Sequence, residues 1–179
     1  MKVIDFSLIN DPTIKQLSID EIYIVKNLNN PHIIKYYNCF NIGEKFYLLM
    51  EFINNDLKGY ITIHQNMKTQ IPEHELWQFF YQCMSGLSYI HQNNLIHRYI
   101  KPTNLFLTDD KVIKIGDFRF LAKRKYNQNN QNEFDQINCF QKENLMIGDP
   151  QYMSPEMFNH QNYGNKIDVY SMGCTFYEL

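Results

Sequence analysis

Over the first fifty or so residues, apolar positions recur mostly at the two-residue period of strands. In "MKVIDFS", Ile4 and Phe6 alternate with Val3, Asp5 and Ser7, which predicts a strand. The period then changes. In "DPTIKQLSIDEIYIVKNL", Ile14, Leu17, Ile22, Val25 and Leu28 share one helical face. Asp11 followed by Pro12 gives that helix a cap and a first turn, and Pro31 stops it. "HIIKYYNCF" and "KFYLLMEFI" are predicted strands joined by a turn at Gly43, after which "NNDL" breaks the pattern.

The strongest helical signal follows. In "PEHELWQFFYQCMSGLSYIHQN", Pro72 opens the helix and Glu73 and Glu75 occupy its first turn. Leu76, Phe79, Phe80, Cys83, Leu87 and Ile90 make its predicted buried face. "LFLT" and "VIKIGDF" form a short predicted hairpin around Asp109 and Asp110. Residues 123–146 are rich in Asn and Gln and show little periodicity, which predicts a loop. "KIDVYSMGCTFYEL" begins a last helix, apolar on several sides. The order is therefore a strand-rich part, residues 1–53, followed by a mostly helical part, residues 54–179, with "EFINND" as the candidate hinge. This is an α+β pattern.

Composition narrows the function classes. Of the 179 residues, 44% are apolar and 20% charged, enough for a packed core. A formal charge of -2 gives no reason to expect a nucleic-acid or anionic-membrane partner. Cys39, Cys83, Cys139 and Cys174 are widely spaced, which predicts reduced thiols rather than a metal knuckle or a redox pair. Asp5 interrupts the place where a secretory signal needs its apolar stretch, and no apolar run reaches the ~18 residues of a membrane span. The expected location is cytoplasmic or nuclear.

The chemistry sits in four segments. "HRYIKPTN" sets out His97, Arg98, Lys101, Pro102 and Asn104. "DFR" supplies Asp117, Phe118 and Arg119, "GDPQYMSPE" ends on Ser154, Pro155 and Glu156, and "DVYSMGC" contains Asp168. In this order and spacing they resemble the eukaryotic protein kinase family, with its H-R-D-L-x-x-x-N loop, D-F-G and A-P-E. The resemblance implies a two-lobed kinase-like fold, with residues 1–53 from the small lobe and 54–179 from the large one. "KPTN" is similar to the serine/threonine type. "LLMEFINNDL" resembles the hinge of cyclin-dependent kinases, and "GDPQYMSPE" is more similar to NIMA-related kinases, so the subfamily stays open.

Residue roles follow from the resemblance. Lys2 corresponds to the V-A-I-K lysine. Glu21 stands where that lysine's partner is kept, although "SIDE" is equally a capping box from Ser18 to Glu21. Met50 is the gatekeeper, adenine would bond backbone groups of Glu51 and Ile53, Asp56 would face the ribose, and Phe106 completes the nucleotide site. Asn104 and Asp117 are the implied metal ligands. ATP and Mg²⁺ are the implied cofactors, and a protein is the implied substrate or partner. Val25, Tyr36, His97 and Phe118 correspond to a stacked spine. Asp168 corresponds to the residue that holds the catalytic-loop backbone, or is simply a helix cap. The family's glycine-rich strands would precede residue 1 and its later helices would follow residue 179, so the match implies a piece from the middle of a domain.

Three positions depart from the family. Tyr99 replaces the loop aspartate that orients the substrate hydroxyl and takes its proton. A phenol has an ordinary pKa of about 10 and is a poor proton acceptor at neutral pH. Losing a placed general base costs roughly a hundred- to ten-thousandfold. Arg119 replaces the glycine of D-F-G. A side chain there predicts strain at positive φ and a guanidinium competing with Mg²⁺ for Asp117. "DFRFLAKR" also carries an apparent extra residue against the family spacing. Asp149 stands at the usual threonine of G-T-P. It either pairs with Lys101 or Tyr99 in a dead site, or supplies the missing carboxylate.

Arg98 matches the arginine that gathers a phosphorylated loop, yet Tyr126 is the only hydroxyl-bearing residue between Phe118 and Tyr152. Lys123, Arg124 and Lys125 form a solvated basic run or a docking patch. Two functions follow from the whole. One is a kinase-like domain of Ser/Thr type with a partly retained ATP site and impaired catalysis, a pseudokinase acting through partner binding. The other is an active Ser/Thr kinase with an atypical site.

Overall fold

The computed structural model describes residues 1–5, 7, 22–123 and 148–179. The predicted helix start at Asp11 and Pro12, the Ser18–Glu21 box, Glu21 itself, the loop after Lys123 with Tyr126, and Cys139 lie outside the described residues.

A three-stranded antiparallel sheet, ordered β1-β3-β2, fills the N-terminal part. Its strands are β1 (Lys2–Asp5), β2 (Tyr36–Ile42) and β3 (Lys45–Met50), with Lys2 opposite Leu48. Gly43 turns the β2–β3 hairpin at φ 59°, a conformation glycine adopts without a side-chain clash. The strand predicted from His32 starts only at Tyr36. Residues before it bond elsewhere: Ile34 N–H donates to Ile115 O at 2.9 Å, and Ile115 N–H to His32 O at 2.9 Å. Residues 22–26 are helical, and Ile22, Val25 and Leu28 are buried as the stripe predicts.

The C-terminal part is mostly helical. β4 (Asn55–Asp56) pairs with β6 (Leu105–Leu107), and β6 pairs with β7 (Ile113–Ile115), the predicted hairpin. β5 (Leu95–Ile96) pairs with β8 (Ala122–Lys123), which the pattern does not predict. The helices are α1 (Leu57–Met67), α2 (Glu73–Gln92), α3 (Pro155–Phe158) and α4 (Lys166–Tyr177). The 3-10 turn Pro102–Asn104 precedes β6.

Helix α1 has no counterpart in the sequence reading. Gly59 and the β-branched Ile61, Thr62 and Ile63 weaken its propensity. It forms because the Asp56 carboxylate accepts from Gly59 N–H at 2.8 Å as an N-cap and because Leu57 and Ile61, one turn apart, are buried. In α2 the buried face is also shifted. Phe79, Cys83, Leu87 and Ile90 are buried as predicted, but Leu76 is half-buried and Phe80 exposed. Phe80 instead packs edge-on against Trp77 and Phe176. Glu75 and Gln82 take the buried places.

Most of the core is one cluster running from Ile33 and Ile34 through Leu57, Phe79, Leu87 and Ile113. Among the described residues, no helix is long and apolar enough to cross a membrane.

Candidate functional site

The site is built on a buried carboxylate. Asp168, in the first turn of α4, is fully buried. It accepts from the backbone N–H of His97 at 2.9 Å and of Arg98 at 2.8 Å. His91 Nε2 lies 2.8 Å from the same group. Asp168 therefore holds the catalytic-loop backbone rather than capping its helix. With both N–H groups fixed, Arg98 sits at φ 63°. Its guanidinium donates to the carbonyls of Phe120 and Leu121 and to the Tyr163 hydroxyl.

His97 links this loop to the next. Its Nδ1 accepts from Tyr99 N–H at 3.2 Å, so Nε2 carries the proton that it donates to Gly116 O at 3.0 Å. Burial pushes its pKa down and keeps the ring neutral, although Asp168 pulls the other way. Phe118 lies between His97, tilted against it with centroids 5.0 Å apart, and Tyr36, met edge-on at 6.2 Å, and Val25 is buried as well. A Cβ on Gly116 would fall 2.7 Å from Ile34 Cγ1 and 2.8 Å from a Phe106 ring carbon, so glycine permits this close approach.

These frames leave a cleft of about 360 Å³. Of the site residues expected from the sequence, Lys2, Met50, Tyr99, Lys101, Asn104, Phe106 and Asp117 line it. Tyr36, Thr103 and Arg119 also line it. Thr103 carries no signal of its own in the sequence, whereas Arg119 stands out there as a departure from the family.

Glu51, Ile53 and Asp56 are not in the cleft wall. The Glu51 carboxylate accepts from Lys35 N–H at 2.6 Å and pairs with Lys114 at 3.0 Å. Ile53 packs on the core, and one carboxylate oxygen of Asp56 caps α1. Asp149 stands beside the cleft, paired with Lys101 at 3.0 Å, which is one of the two arrangements left open above.

The centre of the cleft is cationic and aromatic. Lys101 Nζ lies 4.7 Å from the centroid of the Tyr99 ring and Arg119 Cζ 5.5 Å from it. Phe120 meets the same ring edge-on at 5.0 Å. Asn104 Nδ2 donates to Tyr99 O at 2.7 Å. Burial disfavours the Lys101 charge, but the Asp149 hydrogen bond and the Tyr99 contact outweigh it and raise its pKa.

Asp117 is closed on both sides. Its Oδ1 accepts from Lys2 Nζ at 2.9 Å and from Arg119 Nε at 2.9 Å. Its Oδ2 meets an Arg119 terminal nitrogen at 2.7 Å. Burial raises its pKa, yet the Arg119 and Lys2 contacts overcome that and hold the carboxyl below the ordinary value. The strain expected at residue 119 lies elsewhere. Positive φ falls on Asp117, at 60°, and on Arg98, not on Arg119. Aspartate tolerates that region better than most residues.

Asn104 and Asp117 are the donor set expected for Mg²⁺. The set does not fit a divalent ion as it stands, because two cations already occupy the Asp117 carboxylate. Among the described residues there is no cluster of three His, Cys, Asp or Glu side chains placed to hold a metal.

A strand-rich N-terminal part, a helical C-terminal part and a cleft carrying Lys2, Asn104 and Asp117 define a protein kinase fold. The family model for the protein kinase domain matches residues 1–179, and the chain belongs to that family. It is 29% identical over 178 residues to the serine/threonine-protein kinase polo of Drosophila melanogaster, covering 99% of this chain and 28% of that protein. It is 34% identical over 171 residues to the probable serine/threonine-protein kinase nek2 of Dictyostelium discoideum, covering 92% of this chain and 38% of that one. It is 31% identical over 180 residues to the serine/threonine-protein kinase PLK4 of Drosophila virilis, covering 100% of this chain and 21% of that one. The chain thus spans between 21% and 38% of the length of these relatives.

Proposed function

We propose that this Ser/Thr-type kinase domain is a pseudokinase, silenced at its reaction centre and acting by binding a protein partner. The observation that carries the reading is the closed ion pair at Asp117, whose two oxygens are both held by Arg119. Beside it, a phenol ring replaces the proton acceptor, flanked by two cations. Phosphoryl transfer depends on placement and on charge neutralisation. Here the loop residues keep their frame through Asp168, while the group that would orient an alcohol has been exchanged and the aspartate that would hold a metal is engaged by Arg119. The domain retains a shaped surface and gives up the reaction.

The test is phosphotransfer by the full-length protein to Ser/Thr peptides, compared with Tyr99→Asp plus Arg119→Gly. The double change restores an acceptor and frees Asp117, and a gain of about a hundredfold or more is expected. An ordinary turnover rate in the unchanged protein would overturn the proposal.

A second reading, an atypical but active kinase, draws on one contact. The Asp149–Lys101 pair brings a carboxylate to the catalytic loop. It requires Asp149→Thr to abolish transfer in the same assay. The pseudokinase reading expects no change.

A further inference from the structure

Five charged side chains meet in and beside the cleft. Lys2, Lys101 and Arg119 bring positive charge, and Asp117 and Asp149 bring negative charge, which leaves one positive charge in excess among the described residues of the cleft. Neither carboxylate is open. Asp149 is paired with Lys101, and Asp117 accepts from Lys2 and twice from Arg119. The cations keep capacity. A guanidinium has five N–H donors and an ammonium three. Among the described residues, Arg119 spends two of its donors on Asp117 and remains half exposed, and Lys2 spends one. Met50 and Phe106 give the same cleft an apolar part of its lining.

We infer that this cleft takes a nucleoside triphosphate without a divalent ion, Arg119 and Lys2 facing the phosphates and Met50 and Phe106 flanking the base. The inference rests on the kinase-domain reading of the cleft and concerns its ligand rather than its reaction. A metal-dependent nucleotide site uses its aspartate to hold a cation that bridges phosphate oxygens. In this chain the bridging charge is built into the protein. Arg119 is fixed by a two-point contact with Asp117, so its remaining donors are pre-oriented. Asp117 thus becomes a positioning residue for a guanidinium. A divalent ion entering the site would have to displace that guanidinium and would gain little from a carboxylate already neutralised.

The experiment is calorimetric titration of the full-length protein with ATP, once with excess EDTA and once with Mg²⁺. The expected dissociation constants agree within about threefold. Arg119→Ala is expected to weaken binding in EDTA by about tenfold or more, and Arg119→Lys, which keeps the charge, to recover part of the loss. Asp117→Asn is expected to weaken binding in EDTA by less than Arg119→Ala does, since the guanidinium stays but loses the contact that orients it. Melting curves of each variant establish that it is folded.

A tenfold or greater tightening by Mg²⁺ that Asp117→Asn abolishes would overturn the inference, as would an absence of ATP binding in EDTA. Inorganic tripolyphosphate binding as tightly as ATP would overturn the nucleoside assignment. Phosphotransfer measured on the same samples bears on the silenced centre alone. Mg²⁺-enhanced binding without transfer would sink the metal-free site and leave the silencing intact, whereas efficient transfer would sink the silencing.

Discussion

Single residues decide what this site can do. At position 119 the loss of glycine matters through charge rather than through backbone conformation, because the guanidinium lies on Asp117 while the positive φ values belong to Asp117 and Arg98. Tyr99 acts similarly. Its backbone still receives the Asn104 amide and still donates to His97, so the loop shape is preserved while the side-chain chemistry is exchanged. Ser154, where the family has alanine, is a third such position. Its hydroxyl is buried and has no hydrogen-bond partner among the described residues. An orphaned hydroxyl keeps its desolvation cost, so Ser154→Ala is expected to raise unfolding stability by about 1 kcal/mol, read from urea denaturation. A loss of stability would mean that the hydroxyl has a partner. The sequence makes Tyr99, Arg119 and Asp149 visible as departures, and it offers the Asp149–Lys101 pair as one of two options. The positive φ at Arg98 is not legible there, because the carboxylate that fixes its N–H, Asp168, lies seventy residues away.

At the scale of elements, α1 and α2 are locked by a polar knot that an apolar stripe cannot show. The buried Glu75 of α2 accepts from Tyr60 Oη of α1 at 2.5 Å and pairs with Lys111. Gln82, about two turns further along the same face, accepts from Ile113 N–H at 2.7 Å and donates to Lys111 O at 3.2 Å. Glutamate and glutamine on a helix suggest solvent, which is why Leu76 and Phe80 were expected inside in their stead. The Lys111 contact, followed by the Tyr60 contact, holds the Glu75 carboxyl below its ordinary value of 4.5. A carboxyl depressed on folding stabilises the fold above its unfolded value, and that contribution is lost as pH falls through the folded one. Glu75→Gln is therefore expected to lower the urea midpoint at about pH 7, with the gap to the unchanged protein closing toward about pH 3. A gap independent of pH would show that the carboxylate charge is not what holds the two helices. Helix α1 itself was hidden for a related reason. Its cap, Asp56, and its two buried residues, Leu57 and Ile61, outweigh a weak intrinsic propensity only once the core exists.

Across the whole molecule, the fold is more legible than the function. Ordered motifs from Lys2 to Asp168 point to the kinase fold because each fixes a different part of one frame. Strand β1 carries the lysine, the 3-10 turn carries Asn104, and α4 carries the carboxylate that holds the loop between them. The pairing of β5 with β8 and the route of residues 32–34 along β7 depend on contacts far apart in sequence, and no local pattern reports them. The cleft lining is legible only in part. Lys2, Met50 and Phe106 line it, whereas the side chains of Glu51 and Asp56 accept from Lys35 N–H and Gly59 N–H. What unites these scales is a domain that keeps its frame and exchanges the groups at its centre. The most direct check is the rate of phosphotransfer from Mg²⁺·ATP by the purified full-length protein, set against its Asp117→Asn variant. Indistinguishable rates, both at the background of a mock preparation, are expected. A rate in the unchanged protein that falls by about a hundredfold or more in Asp117→Asn would contradict the account.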